Sequence, residues 1–363
     1  MDATVELLTL ALLPGVGPRS VRALRQRGAV SGVLQSPRDH ADLLGAEALN
    51  LLASGRARAA AESELRDVAR QGLAVVGLDD PEYPVLLREI YDPPPVLYVR
   101  GRLEPDSGAC HVAVVGSRSA SPQGMKLARG LAKDLAGFGA TVVSGLARGI
   151  DSAAHQGALD GGGRTLAVLG SALDRLYPRE NEVLAAAMVD KGGAVVSEFR
   201  LGTAPSPGHF PRRNRVIAGW SRAVVVVEAA QRSGALSTAR EALDAGREVL
   251  AVPGHPSFPL ASGTNALIRD GARLVRDARD VAEELGLDAA PPAKSPISVA
   301  GADAVEEDAV LQSLRREAPQ SVEEIQARSG QPLHAVLARL AELELHEQVR
   351  RLPGALFVRS ERE

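Results

Sequence analysis

The sequence predicts an α/β fold, in which a doubly wound (extended Rossmann-like) parallel sheet is flanked by an N-terminal helical domain and a C-terminal winged-helix domain. Short runs rich in Val and Leu alternate with amphipathic stretches between residues 66 and 288. Most of these runs lack the in-and-out alternation of a half-exposed strand, which is typical of strands covered by helices on both faces. The flanking segments show helical periodicity instead.

The composition is that of a globular protein with more than one domain. At 363 residues the chain exceeds the roughly 250–300 residues at which one hydrophobic core stops growing. Aromatic residues make up only 3%, so we expect an aliphatic core. Cys110 is the only cysteine, which excludes an internal disulfide framework and a cysteine-rich zinc site. No signal-like or membrane-spanning apolar run is present, so we expect a cytoplasmic protein.

Residues 1–65 are predicted to form a helical domain that resembles SAM or helix-hairpin-helix modules. Leu7, Leu8, Ala11 and Leu12 recur at helical spacing, and a Gly-x-Gly turn at 15–17 then separates two helices. Four arginines and no acid lie between residues 16 and 30. The turn is either a hairpin whose amides approach a DNA phosphate or a simple turn in a helical bundle.

The central domain, 66–288, is predicted to contain nine strands joined mostly by helices. Helical connections of this kind indicate βαβ units and a parallel sheet. Its ligand is then expected at the carboxyl ends of the strands. The predicted strands are 73–76, 97–99, 111–115, 141–143, 165–169, 194–196, 223–227, 248–252 and 273–275.

The C-terminal part consists of a linker, 289–303, and a winged-helix domain, 304–363. The linker is rich in Pro, Ala and Ser. Helices are predicted at 306–316, 321–329 and 332–343, followed by wing strands at 349–351 and 355–358. Ser321 and Glu324 have the spacing of a capping box. Eight arginines face eleven acids in this domain, which disfavours duplex reading and favours a protein-interaction or regulatory role.

The segment 207–219 is the strongest candidate site, because it combines an aromatic residue with several cations at a helix start. A helix N-terminus with guanidinium groups attracts phosphate, and an aromatic ring offers a surface for stacking a base. The alternative is a solvated basic turn whose Phe packs into the core. The candidate residues are His209, Phe210, Arg212, Arg213, Asn214 and Arg215.

Three further strand-to-helix turns carry Gly, Ser and Arg, and we expect them at the same sheet edge. Glycine permits close backbone approach, serine offers a hydroxyl and arginine adds charge. We expect phosphates along these turns, held by Arg118, Arg148 and Arg213, although turns of this kind are often rich in Gly and Ser for structural reasons. The candidates are Gly116, Ser117, Arg118, Ser144, Gly145, Arg148, Gly149, Ser233 and Gly234.

Several enzyme classes lack their sequence signature here, and we expect no cofactor and no metal. No Gly-x-Gly-x-x-Gly opens a helix after a strand, and there is no P-loop. The histidines at 111, 155, 209 and 255 are not spaced as a metal set. Glu198 and Glu228, near strand ends, are the only acids that suggest catalysis.

Five motifs in the central domain occur in an order that resembles a known family. They are Val112–Arg118 with Gly-Ser-Arg, 143–155, 210–219 with Phe-Pro-x-Arg-Asn-Arg, 233–239, and 252–254. Together they resemble the bacterial DNA-processing protein A family, also called DprA or Smf, over about residues 70–280. The resemblance implies a non-catalytic homodimer that binds single-stranded DNA and loads the RecA recombinase onto it during natural transformation or recombination.

The resemblance also assigns expected roles to individual residues. The pocket arginine of the family falls on Arg118, and its base-contacting phenylalanine falls on Phe210. In relatives a lysine can stand just before that phenylalanine, whereas here Pro207, Gly208 and His209 occupy those places. Arg212 or Lys191 would then supply the phosphate contact.

Two other functions compete with this interpretation. Related sheet domains bind nucleoside monophosphates and cleave the N-glycosidic bond, but their Pro-Gly-Gly-x-Gly-Thr turn is absent, since residues 252–256 are Val-Pro-Gly-His-Pro. A third hypothesis is a scaffold that works mainly through its acidic winged-helix domain.

Overall fold

The computed structural model describes residues 3–105, 110–287, 309–314, 319–345, 349–352 and 356–359. Contacts divide the chain into two compact units, Met1–Pro292 and Ala293–Glu363. The predicted linker, 289–303, lies outside the described residues, as does the tip of the wing. None of the helices in the described ranges combines the length and apolarity needed to cross a bilayer.

The first unit contains thirteen α-helices and nine strands within its described residues. The helices are α1 (Ala3–Ala11), α2 (Pro18–Arg27), α3 (Val30–Gln35), α4 (Ala46–Ala53), α5 (Arg56–Arg70), α6 (Val85–Glu89), α7 (Pro122–Gly137), α8 (Ile150–Asp160), α9 (Glu182–Asp190), α10 (His209–Trp220), α11 (Gly234–Asp244), α12 (Ser262–Arg269) and α13 (Ala278–Leu285). The strands are β1 (Ala74–Gly77), β2 (Val96–Gly101), β3 (His111–Val115), β4 (Thr141–Ser144), β5 (Thr165–Leu169), β6 (Ala194–Ser197), β7 (Ala223–Val226), β8 (Glu248–Ala251) and β9 (Arg273–Leu274).

All nine predicted strands are present, and they form one sheet in the order β1-β2-β6-β5-β4-β3-β7-β8-β9. The strands from β3 to β9 pair in parallel, so the predicted doubly wound sheet is confirmed. β1 and β2 are antiparallel additions at one side, which hydrophobic runs alone did not predict because a run does not encode strand direction. The chain order reverses at β3, which lies between β4 and β7. Such a switch point opens a crevice at the carboxyl ends of the strands.

The N-terminal helices pack in the same core as the sheet. Leu7 and Leu24 belong to the buried cluster that also contains Tyr98 of β2, and α5 extends past the predicted domain boundary at residue 65. Thr4 donates hydrogen bonds to the Asp80 carboxylate, which itself accepts from the Gly77 amide. The helical segment and the sheet therefore form one compact body.

Each arginine of the predicted hairpin already has a partner within the chain. The four arginines have these partners: Arg19 pairs with Asp92, Arg22 donates to the Tyr91 carbonyl, Arg25 pairs with Asp79, and Arg27 pairs with Asp42. Arg19 and Arg22 also lie over the Tyr91 ring. DNA contact by this hairpin remains a prediction, but its cations have structural partners, which favours the simple helical turn.

The second unit has the predicted winged-helix order. Its elements are α14 (Ala309–Ser313), β10 (Gln320–Ser321), α15 (Val322–Ser329), α16 (Leu333–Leu345), β11 (Val349–Leu352) and β12 (Leu356–Arg359), with the strands in the order β10-β12-β11. The Ser321–Glu324 capping box is confirmed in both directions. Val310, Ile325, Leu340 and Phe357 contribute to a separate apolar core.

Candidate nucleic-acid interface

A cavity of about 760 Å³ lies where the chain order of the sheet reverses. It is lined by the turn after β3, the turn after β7 and the first residues of α10. These are three of the four turns that the sequence predicted to meet, and Ala147 of the fourth also reaches the wall. We call this space the Phe210 cavity.

Arg118 and Phe210 form the centre of the Phe210 cavity. The Arg118 guanidinium carbon lies 4.6 Å from the centroid of the Phe210 ring, a cation–π distance. Arg118 is exposed and Phe210 is half-buried. The ring packs on Gly170, where an added Cβ would lie 2.8 Å from Phe210 Cδ1, so a larger residue there would displace it. The two residues that the family resemblance singled out are therefore in contact.

The turn that carries Arg118 is fixed by its own backbone. The Ser117 amide donates to the Glu228 carbonyl at 2.7 Å, and the Ser117 carbonyl accepts from the Ile150 amide at 3.2 Å. Gly149 lies beside it with a φ of 76°, and a Cβ there would stand 2.3 Å from the Ser117 carbonyl oxygen. Only glycine fits this position, since both the backbone angle and the space exclude a side chain. The turn is thus pre-shaped before any ligand binds.

Neither acid that was considered for catalysis lines the cavity among the described residues. The Glu228 carboxylate accepts from the Ser121 amide at 2.9 Å and from the Ser121 hydroxyl at 2.5 Å, which holds the start of α7. Glu198 accepts from Arg212 at 2.9 Å and from Arg215 at 2.6 Å. Both carboxylates are structural partners of nearby groups.

A largely buried charged network forms part of the cavity wall. Arg213 is 4% exposed and donates to the carbonyls of Gly145 and Val168 and, at 3.2 Å, to the Asn214 side chain. Asp151 accepts from the Gly145 amide at 3.1 Å. Burial raises the pKa of Asp151, while the Arg213 charge opposes that rise. Burial also lowers the pKa of Arg213, to about 10, so it stays protonated at neutral pH.

This network corrects the predicted role of Arg213 as a phosphate contact. Its guanidinium is committed to backbone carbonyls, so it braces the turn after β4 against α10. Asn214 is also buried and donates to the Gly234 carbonyl at 3.3 Å, which links α10 to the start of α11. Consecutive basic residues on a helix point in different directions, and the sequence did not show which ones turn inward.

Three more predicted contacts need correction. Ser144 is fully buried and donates its hydroxyl to the Val114 carbonyl at 2.7 Å, so it cannot reach a phosphate. Arg215 is buried and paired with Glu198. Lys191 follows α9 and precedes β6, which places it at the opposite edge of the sheet from the Phe210 cavity.

The other predicted residues lie at or near the cavity. Ser233 caps α11 by accepting from the Ala235 amide, and Gly234 lines the wall beside it. Arg148 is exposed and pairs with Glu180 at 3.6 Å. Arg212 is exposed and lies over the Phe199 ring, on which His209 is stacked at 4.4 Å. Of the two expected substitutes for the lysine of relatives, only Arg212 is at this edge.

Tyr177 and Arg232 also line the cavity, although neither was among the predicted site residues. The Tyr177 ring centroid lies 5.9 Å from that of Phe210. Tyr177 belongs to the connection between β5 and α9, a fifth strand-end segment at the same edge. In a chain with so few aromatic residues, a Tyr in such a segment was a usable signal.

Buried His155 predicts an acid-sensitive sheet. Its Nδ1 lies 2.7 Å from the Thr165 hydroxyl, and burial lowers its pKa to about 3. In the unfolded chain this imidazole has a pKa near 6.5 and binds a proton below that pH, whereas in the folded chain it stays neutral until the pH nears 3. The free energy of unfolding therefore falls as the pH drops from about 6.5 towards 3. We expect about 1.4 kcal/mol lost per pH unit in this window.

Urea unfolding followed through Trp220, the only tryptophan, measures this effect in the sheet. His155→Gln removes the titrating group, so the variant should lose less stability than wild type between pH 7 and pH 5. Carboxylates that titrate between pH 7 and pH 5 affect both proteins equally, so their contribution cancels when the two losses of stability are subtracted. Equal losses in the two proteins would refute the assignment.

Comparison with known proteins agrees with this geometry. Residues 74–286 match the family model described as DNA recombination-mediator protein A, and residues 288–355 match the DprA winged-helix domain. Protein Smf of Escherichia coli is 40% identical over 312 residues, covering 84% of this chain and 82% of that protein. DNA processing protein DprA of Streptococcus pneumoniae is 45% identical over 206 residues, covering 56% of this chain and 71% of that protein.

Two solved structures are similar as well. DprA of Streptococcus pneumoniae aligns with a TM-score of 0.65 and 35% identity, over 78% of this chain and 98% of that one. DNA processing protein A of Helicobacter pylori, described for its single-stranded DNA binding mode, aligns with a TM-score of 0.53 and 28% identity, over 60% of this chain and 96% of that one. With its central domain and winged helix both matched, the chain belongs to the DNA recombination-mediator protein A (DprA/Smf) family.

Proposed function

We propose that this protein binds single-stranded DNA in the Phe210 cavity, without catalysis, and presents the strand to RecA as a homodimer. The observation that carries the proposal is the contact of exposed Arg118 with the half-buried Phe210 ring at the switch point of the sheet. A base can stack on the ring while the neighbouring phosphate meets the guanidinium. The single-strand binding mode described for the Helicobacter pylori relative supports the same ligand.

The charges around the cavity favour a flexible polyanion. Within the described residues, Arg118 and Arg232 form no ion pair with a carboxylate, so both are available to phosphate. Contact with phosphate releases counterions and gives salt-dependent affinity. Stacking on Phe210 requires a base that is not paired in a duplex. Duplex DNA should therefore bind poorly, because its bases are not available to the ring.

Titration of the purified protein with labelled oligo-dT and with a matched duplex tests the function. We expect tighter binding of the single strand, with affinity that falls as salt rises. Equal or preferential duplex binding would overturn the proposal. Incubation with nucleoside monophosphates tests the rival enzyme, and release of free base would establish it instead.

Deletion of residues 293–363 should leave single-strand binding intact. The first unit has its own hydrophobic core and contains every residue that lines the Phe210 cavity. Affinity for oligo-dT within about twofold of the full chain is expected by fluorescence anisotropy. A loss of tenfold or more, about 1.4 kcal/mol, would show that the winged helix carries the binding site.

The RecA role is tested on single strands covered by a single-strand-binding protein. Wild type should speed RecA filament assembly on such strands, and Phe210→Ala should not, because it no longer holds the strand. Light scattering gives the mass in solution, and a monomer at working concentration would contradict the homodimer.

A further inference from the structure

A second cavity adjoins the Phe210 cavity, with Tyr177 as the shared wall. It has a volume of about 710 Å³, and Tyr177 lines both spaces. The turn after β4 also borders both, because Ala147 faces the first cavity and Arg148 faces the second. We call the second space the Tyr177 groove.

We propose that the Tyr177 groove binds the next nucleotide of the same single strand. Tyr177 would be a second base platform, and the arginines of the groove would contact the phosphate that follows. The inference rests on the proposed function, because it extends the path of a strand that the Phe210 cavity holds.

The position of the Tyr177 ring suits a second platform. Its centroid lies 5.9 Å from that of Phe210, with the ring planes inclined by 52°. Contact with Phe210 therefore leaves much of the tyrosine ring open, and the residue is 41% exposed. An exposed aromatic ring that faces a basic groove is a stacking surface for a base.

The groove carries positive charge that the chain does not neutralise. Its arginines are Arg100, Arg148, Arg175 and Arg179, and its acids are Asp174, Glu180 and Glu182. Arg148 pairs with Glu180 and Arg175 with Asp174, both at long distance. Within the described residues, Arg100 and Arg179 form no ion pair. These two guanidinium groups are the contacts available to a phosphate.

The loop that bears Tyr177 is held against the turn after β4. The Asn181 side chain donates to the Leu146 carbonyl and to the Ser152 hydroxyl, each at 2.8 Å. At the other end of the loop, the Ala172 amide donates to the Thr203 carbonyl at 3.0 Å. The groove is thus preorganised relative to the Phe210 cavity, which lowers the entropy cost of holding a strand across both.

A length series of oligo-dT, from about 2 to 16 nucleotides, tests this path by fluorescence anisotropy. Phe210→Ala should weaken binding at every length. Tyr177→Ala should spare the shortest strands and weaken longer ones about tenfold, whereas Tyr177→Phe should bind like wild type because it keeps the ring. Arg179→Ala should lower the slope of log affinity against log salt by about 0.7, the value of one phosphate contact.

Lys133→Ala is the matched control, since this exposed lysine lies in the last turns of α7, at the opposite edge of the sheet. It should bind like wild type, and Trp220 emission checks that each variant is folded. If Tyr177→Ala and Arg179→Ala both bind like wild type at every length while Phe210→Ala binds weakly, the proposal for the Tyr177 groove is wrong and the proposed function stands. No single-strand binding by the wild type would overturn the proposed function itself.

Discussion

Phe210→Ala is expected to weaken single-stranded DNA binding by tenfold or more. A stacked base contributes about 1–3 kcal/mol by alanine substitution, and the Phe210 ring is the surface that the cavity offers. Arg118→Ala should weaken binding to a similar degree, because it removes the cation above the ring and with it the phosphate contact that we propose. Equilibrium titration with oligo-dT at two salt concentrations measures both.

The two variants differ in their salt dependence, which separates stacking from charge. Arg118→Ala should flatten the slope of log affinity against log salt by about 0.7, whereas Phe210→Ala should leave the slope unchanged. Phe210→Trp should keep most of the affinity, since it retains an aromatic surface. Unchanged single-strand affinity in both alanine variants would remove this cavity as the binding site.

Arg213→Met is expected to destabilise the first unit by about 3–5 kcal/mol. The change removes a buried hydrogen-bond donor from the Gly145 and Val168 carbonyls and the nearby positive charge from Asp151. Urea unfolding followed through Trp220 measures the loss. DNA binding should fall only as far as the folded fraction falls, because this almost fully buried guanidinium holds the turn after β4 through its hydrogen bonds to backbone carbonyls.

Arg212→Met is the control for this effect, since it removes a neighbouring arginine that is 46% exposed at its side chain. We expect a cost below about 1 kcal/mol, as for an exposed ion pair. Equal destabilisation by the two substitutions would contradict the structural role assigned to Arg213.

The central strands were predictable because each is a short buried run rich in Val, Leu and Ala between polar turns. β3 and β5 match their predicted limits, and the other seven differ by one or two residues at an end. The predicted strand ends then indicated which turns lie at the carboxyl edge of the sheet. Arg118 and Phe210 both lie at that edge and meet across the cavity. Contact between these two distant residues follows from the parallel topology, which the alternation of strands with helical connections indicated.

The inward or outward direction of individual polar side chains was not predictable. Arg212, Arg213 and Arg215 are neighbours in sequence, yet one is exposed, one braces buried carbonyls and one pairs with buried Glu198. The position of a residue around α10 and its distant partners decide between these roles. Tyr177 was missed for another reason. The connection between β5 and α9 begins with Gly170 and Ser171, but Tyr177 lies further along this long loop, so its place at the sheet edge depends on the path of the loop.

Photocrosslinking with a bromouracil-substituted single strand tests the central claim most directly. Mass spectrometry of the digested complex locates the crosslinked residues. We expect crosslinks at Phe210 and in the segment around Tyr177, with the Phe210 crosslink lost from Phe210→Ala. Crosslinks confined to the N-terminal helices or to the winged-helix domain would contradict it.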